Sequence, residues 1–234
     1  MKKYIAAALI LFITVSANAM SFSDIRTISR TLARDPIPAS GSPRISETLV
    51  SQLANIAHQQ ISMFTWCCED SASISIVSGQ REYSFTSDMV AIERVSLDGN
   101  VLPATSIAKM DIKDSAWSQS VSTATPTYYY SNPGLHVFGF DSYPDTTTDS
   151  TINVTYIKQP ADLVLDADIP FDAQTRLYPF HYTICLLTAA LMCYSDNRAA
   201  EGNVYYTMYI DNVKNMTSTI RLSPDYIPGF TGGK

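Results

Sequence analysis

The sequence predicts an α+β protein, an α-helical bundle formed by N- and C-terminal helices with an inserted antiparallel β-sandwich or barrel-like module. Three observations carry that expectation. Apolar residues recur at spacings of three and four over residues 45–64 and again from Leu177 onward, the period of an amphipathic helix. Between those runs, from Ser73 to Ile157, the period drops to two, as in half-buried strands. At 234 residues the chain can bury one sizeable core or two smaller ones.

Residues 1–19 carry a leader pattern: Lys2 and Lys3, an apolar run from Ile5 to Val15, then the small-residue triplet Ala17-Asn18-Ala19. The run is short for a bilayer span. Met20 opens a second natural start, with Ser21 or Ser23 placed to cap a helix. Three readings stand side by side: Met20 as initiator, a true export signal, or an apolar segment retained in an assembly.

Residues 20–70 read as the N-terminal helices. A first helix covers about residues 23–33, and Asp35-Pro36-Ile37-Pro38-Ala39-Ser40-Gly41 is a linker that cannot continue it. Ser42-Pro43 has the form of an N-cap followed by proline at the first helical position. Ile45, Leu49, Leu53, Ile56, Gln60 and Phe64 then share one face, the expected buried stripe. His58 lies off that stripe and is read as a surface histidine.

Residues 71–160 read as the β-module. Ile74 and Ile76, Tyr83 and Phe85, and Ile92, Val95 and Leu97 alternate with polar neighbours. Asp98-Gly99 is a two-residue hairpin turn. Further strands are expected at residues 127–130, 135–140 and 151–157, six or seven in all. Residues 161–220 return to helical period. Leu177, Phe180, Ile184, Leu187 and Leu191 form one face, and Val204, Met208, Asn212 and Met216 another, with Gly202 near the turn between them. Residues 221–234 form an extended Pro/Gly tail carrying Tyr226, Ile227 and Phe230.

Composition narrows the function. Charged residues are only 16% of the chain and the net charge is −6, unsuited to gripping phosphates. Four cysteines give neither a disulfide framework nor a zinc spacing, and read as buried thiols. Three histidines occur without H-E-x-x-H, and there is no G-x-S-x-G elbow, Walker loop or dinucleotide fingerprint. Asp141, Asp145 and Asp149 have the wrong spacing for an EF-hand and read as a solvated turn. Asp162, Asp166, Asp168 and Asp172 read as helix-start and solubility acids rather than a catalytic pair. No catalytic, cofactor or metal residue is assigned, and no enzyme is expected.

The order of segments is more specific than any one of them. Phe64-Thr65-Trp66-Cys67 closes the first helix pair. An extended Tyr83–Asp88 element follows, and then a hairpin reading I-E-R-V-S-L-D-G from Ile92 to Gly99. Trp117 precedes Thr125-Pro126-Thr127-Tyr128-Tyr129, and Tyr156-Ile157-Lys158-Gln159-Pro160 leads into two helices. Over roughly residues 21–216 this resembles the head–tail connector, or adaptor, proteins of tailed bacteriophages. The resemblance implies a structural virion protein assembled in the host cytoplasm: a homo-oligomeric ring, usually of twelve copies, docked beneath the portal protein. Such a ring carries the tail nozzle or tube, and DNA passes through it without sequence-specific binding, with no cofactor and no membrane. It also implies that the C-terminal helices and tail meet the portal, with Tyr226, Ile227 and Phe230 as candidate contacts to portal or neighbour. The leader departs from the resemblance and keeps a second reading in play, an exported bacterial envelope β-domain protein binding a partner or ligand.

Overall fold

The computed structural model describes residues 19–38, 42–119, 123–145 and 151–221. In chain order the elements are α1 (Phe22–Leu32), α2 (Glu47–Thr65), β1 (Glu69–Ser75), β2 (Glu82–Ser84), β3 (Met89–Leu97), β4 (Asn100–Leu102), β5 (Ala104–Thr105), α3 (Ile107–Lys113), β6 (Tyr129–Asn132), β7 (Val137–Phe140), β8 (Thr151–Lys158), α4 (His181–Ser195) and α5 (Ala199–Arg221). The expected α+β class holds. Two compact units result: a helical unit, from the described residues up to Cys68 and from Pro160 onward, and a β unit, Glu69–Gln159.

In the helical unit α4 is the centre, with α1, α2 and α5 packed on it. Eleven of its 15 residues are buried. The run Thr175–Ser195 is long and apolar enough to cross a membrane by length and composition, but that burial fits the core helix of a bundle. Helix α1 opens with a reciprocal capping box. Ser21 Oγ accepts from Asp24 N at 3.2 Å, and Asp24 Oδ2 accepts from Ser21 N at 3.0 Å. Helix α2 begins at Ser46–Glu47 rather than at Ser42-Pro43. The Asp35 carboxylate accepts from Arg44 N and Ile45 N, both at 3.1 Å, and holds that stretch outside the helix. Ser46 Oγ then accepts from Leu49 N as the actual cap.

Two helix faces depart from the sequence reading. Helix α2 buries Val50, Ala54, Ala57, His58 and Ile61, while Ile56 and Phe64 are 52% and 64% exposed. Of the expected stripe, Ile45 is buried and Leu49 and Leu53 pack against the core, so only its C-terminal part faces outward. On α5 Gly202, Tyr209, Met216 and Ile220 are buried, so Met216 of the expected face is inward while Val204 is exposed. The turn into α5 lies at residues 196–198, with Asn197 at φ 57°, so Gly202 is inside the helix. A Cβ on Gly202 would stand 2.6 Å from Tyr194 Cε1, so glycine is required there by close approach.

The β unit pairs two four-stranded sheets, β1-β8-β3-β4 and β2-β7-β6-β5. Eight strands are described, one or two more than expected, and all pairs are antiparallel except β5–β6. Ile152, Val154 and Tyr156 of β8 with Val95 and Leu97 of β3 meet Tyr83, Phe138, Phe140 and Tyr129 of the other sheet in one core. The Asp98-Gly99 hairpin forms as read, with φ of 46° and 87° as a two-residue turn of this hand requires. Helix α3 was not expected. It brings Met110 against Trp117 and Tyr130 in a separate small cluster.

Candidate assembly surface

The inner polar groups of the helical unit are structural. Arg30, 2% exposed, donates to Asp35 Oδ2 at 2.9 Å, to Glu47 Oε2 at 2.8 and 3.1 Å, and to the Ile45 carbonyl at 3.0 Å. The network fastens the linker to the start of α2. His58 is not a surface residue. It is 1% exposed, and its Nε2 accepts from Phe171 N at 2.8 Å. His181 is fully buried, and its Nδ1 accepts from Met20 N at 3.1 Å. Both rings lean on Phe171, with centroids 5.1 and 5.7 Å away. Burial lowers both imidazoles to about 4, and the charge of His181 adds to the effect on His58. Each ring's other nitrogen has no partner among the described residues.

Phe171, Asp172 and Ala173 all have φ between 52° and 57°. Three successive left-handed residues are strained, and the His58–Phe171 bond is one of the ties that hold the turn. The four cysteines are free and buried as read. Cys67 and Cys68 have their sulfurs 3.7 Å apart, and Cys67 together with burial pushes the Cys68 thiol up.

The loop acids do more than solvate. Asp168 Oδ2 accepts from Val164 N and Leu165 N at 2.7 Å, Asp166 pairs with Arg26, and Asp162 accepts from Gln59. Asp141, expected in a solvated turn, accepts from Thr127 N at 2.9 Å and Tyr128 N at 3.1 Å, so it is a fixed part of the sandwich edge. In the β unit a cleft of about 400 Å³ is lined by Lys109, Met110, Lys113, Trp117, Tyr128 and Asp141. Lys113 stands 5.2 Å from the Tyr128 ring, and Arg81 covers Trp117 at 4.7 Å while donating to the Trp117 and Ser118 carbonyls. Asp141 is held by the Thr127 and Tyr128 amides, and Trp117 Nε1 donates to Asp111 Oδ1 at 2.7 Å, so these groups have structural roles. Among the described residues no three His, Cys, Asp or Glu side chains cluster for a metal.

One outward face that the fold does not absorb lies on α2 and its C-terminal end. Ile56, Met63, Phe64 and Trp66 are 46–64% exposed, with Leu49 and Leu53 partly exposed beside them. No Asp, Glu, Lys or Arg occurs between Glu47 and Glu69. Along one edge of α2, Asn55 and Gln59 hold the 162–165 loop, where Val164 and Leu165 are 75% and 66% exposed. The contacts assigned from sequence, Tyr226, Ile227 and Phe230, lie outside the described residues.

The family model described as the SU10 adaptor protein matches residues 20–226. The chain belongs to that family. It is therefore a phage head-to-tail adaptor, a structural component of the virion. The match begins at Met20, the residue whose backbone bonds His181, and runs through both units of the adaptor. Between the adaptor and envelope-protein readings, membership decides for the adaptor. No curated protein matches the chain.

Proposed function

We propose that this adaptor forms a closed ring, usually of twelve copies, that docks beneath the portal, carries the tail nozzle or tube, and encloses part of the DNA exit channel. The observation that carries the reading is the family match across residues 20–226, which spans both the helical bundle and the β insertion. Charge supports it. At −6 per copy and 16% charged residues, the chain offers DNA a surface to slide past rather than one to grip. A ring of identical subunits needs two different faces that meet head to tail. In this reading the C-terminal segment with Tyr226, Ile227 and Phe230 reaches the portal or a neighbouring copy.

Native mass spectrometry of the full chain, alone and with the cognate portal ring, tests this. The expected result is one adaptor bound per portal subunit, in a closed ring. A chain that stays monomeric and ignores the portal refutes it.

A further inference from the structure

We infer that the open edge of β1 is where one copy of this chain receives residues 224–230 of a second copy, as an added antiparallel strand. The inference rests on the ring reading and names a contact within it. Four strands stand at sheet edges: β2 and β4 are three residues long, β5 is two, and β1 is seven. Short edges resist pairing with another chain, and a long one invites it. Strand β1 keeps an unbroken register with β8 from Glu69 to Ser75 and has no proline or lysine. On its other side it meets no strand among the described residues. Ser71 N donates to the side chain of its own neighbour, Asp70 Oδ1, at 2.7 Å, so the odd-numbered residues of β1 present their backbone outward. Ala72 and Ile74 turn to the sandwich core and are only partly buried there, while Ser73 and Ser75 are exposed.

The C-terminal sequence has the pattern that this edge requires. Leu222, Pro224, Tyr226, Pro228 and Phe230 are apolar, and the residues between them, Ile227 apart, are polar or glycine. A period of two is that of a strand, and a residue before proline is driven toward the extended region. In an antiparallel pair, residues that exchange backbone bonds lie opposite one another with side chains on the same face. A strand bonding Ser73 and Ser75 through its odd-numbered residues therefore sets Pro224, Tyr226, Pro228 and Phe230 on the core side, beside Ala72 and Ile74. The prolines then fall where the missing N–H would face away from β1, the position an edge strand tolerates. Parallel pairing would satisfy the apolar face or the prolines, not both. The receiver is another copy for reasons of reach. Helix α5 doubles back along α4 and ends by the α4 start, where Arg176 donates to the Cys67 carbonyl at 3.1 Å. The C-terminal segment and β1 thus leave the helical unit at one end. An antiparallel strand on the chain's own β1 would enter at Ser75, about 20 Å along β1, whereas the two residues before Pro224 reach about 7 Å. A second copy has no such limit. A head-to-tail ring needs two different faces, and a donated strand and a receiving edge supply them.

The test uses the full chain, alone and on the cognate portal ring. A photo-reactive benzoylphenylalanine at position 226 reports the receiver, and mixing normal with heavy-isotope copies separates crosslinks within a chain from those between copies. The inference expects crosslinks to residues 71–77 of a second copy. Ile227→Pro removes an N–H on the bonding side of the added strand without altering a described residue. It should weaken association at least tenfold with an unchanged melting temperature. Ser73→Pro removes the matching donor from the outer side of β1, where the β8 ladder does not use it, and should weaken association likewise. Two proline variants that assemble like wild type overturn the inference and leave the ring reading standing. Crosslinks from position 226 to the chain's own β1, to portal or to tail protein, with the ring still closed, do the same. A wild-type chain that never associates, with or without portal, overturns both.

Discussion

Acid should unfold the helical unit in a narrow window, and two histidines should account for it. In the fold His58 and His181 act as acceptors, from Phe171 N at 2.8 Å and Met20 N at 3.1 Å. A protonated imidazole has no lone pair to accept with, so protonation breaks both bonds and places charge in the core. Both folded-state values are lowered from 6.5 to about 4. The unfolded chain therefore binds more protons than the folded one between those limits. Stability is fully present above about pH 6.5 and is lost as pH falls through about 4. A shift of that size corresponds to about 3 kcal/mol per histidine. Both rings are at most 1% exposed, so solvent does not screen the effect. Because His181 contributes to the shift of His58, the pair together gives about 5 kcal/mol, against a typical domain stability of roughly 5–15 kcal/mol.

The assay is urea unfolding at a series of pH values, read from Trp66 at the end of α2 in a Trp117→Phe background. Glutamine at 58 puts an amide oxygen near the Nε2 position, and asparagine at 181 does the same for Nδ1, so His58→Gln with His181→Asn keeps neutral acceptors that do not titrate. Wild type should lose about 1.4 kcal/mol per pH unit per histidine within the window, and the double variant should lose that component of the slope. Carboxylates are common to both proteins and cancel in the difference. If the two proteins lose stability in parallel from about pH 6.5 to 4, the buried neutral imidazoles are not the acid-sensitive element and the argument fails.

Three other substitutions probe separate contacts. Gly202→Ala, which ordinarily stabilises a helix interior, should destabilise the helical unit by about 1–3 kcal/mol, because the new Cβ meets Tyr194 at 2.6 Å; adding Tyr194→Ala should relieve the clash in thermal melts. Asp35→Ala leaves Arg30 buried beside Glu47 alone and frees the Arg44 and Ile45 amides, so urea unfolding should register a loss of about 3 kcal/mol or more. Gly139→Ala puts a Cβ 2.6 Å from Tyr130 Oη, which donates to Glu82; the β unit should lose about 1–3 kcal/mol and Trp117, whose ring lies 5.6 Å from that of Tyr130, should change its emission.

The switch of period from helix to strand and back, the Asp98-Gly99 turn and the alternation in β8 were legible, because each is set by neighbours in sequence. What escaped the sequence was set from afar. His58 reads as a surface residue until its acceptor role is seen, and its partner Phe171 is 113 residues away. Ser46 rather than Ser42 caps α2 because Asp35 captures the intervening amides. Helix α3 and the Arg81–Trp117–Tyr130 stack show no strong periodic signal, and the parallel β5–β6 contact joins segments with no local turn between them. As for the candidate surface, Tyr226, Ile227 and Phe230 came from resemblance and composition alone, whereas the α2 stripe held in part: Ile45 is buried and Leu49 and Leu53 pack on the core, but Ile56 and Phe64 face outward.

That error is itself instructive about α2. A hydrophobic-period argument finds the face with the largest apolar side chains and sends it inward, since burial of large side chains normally stabilises most. Here the core takes the face with Val50, Ala54, Ala57 and Ile61, with Leu49 and Leu53 packed at its border, and leaves Ile56 and Phe64 outside. The larger face can remain outside in a single copy only at the cost of exposed apolar surface, and no charged residue between Glu47 and Glu69 offsets that exposure. A solitary soluble chain would gain solubility from a lysine or glutamate on that stripe at little expense to its fold.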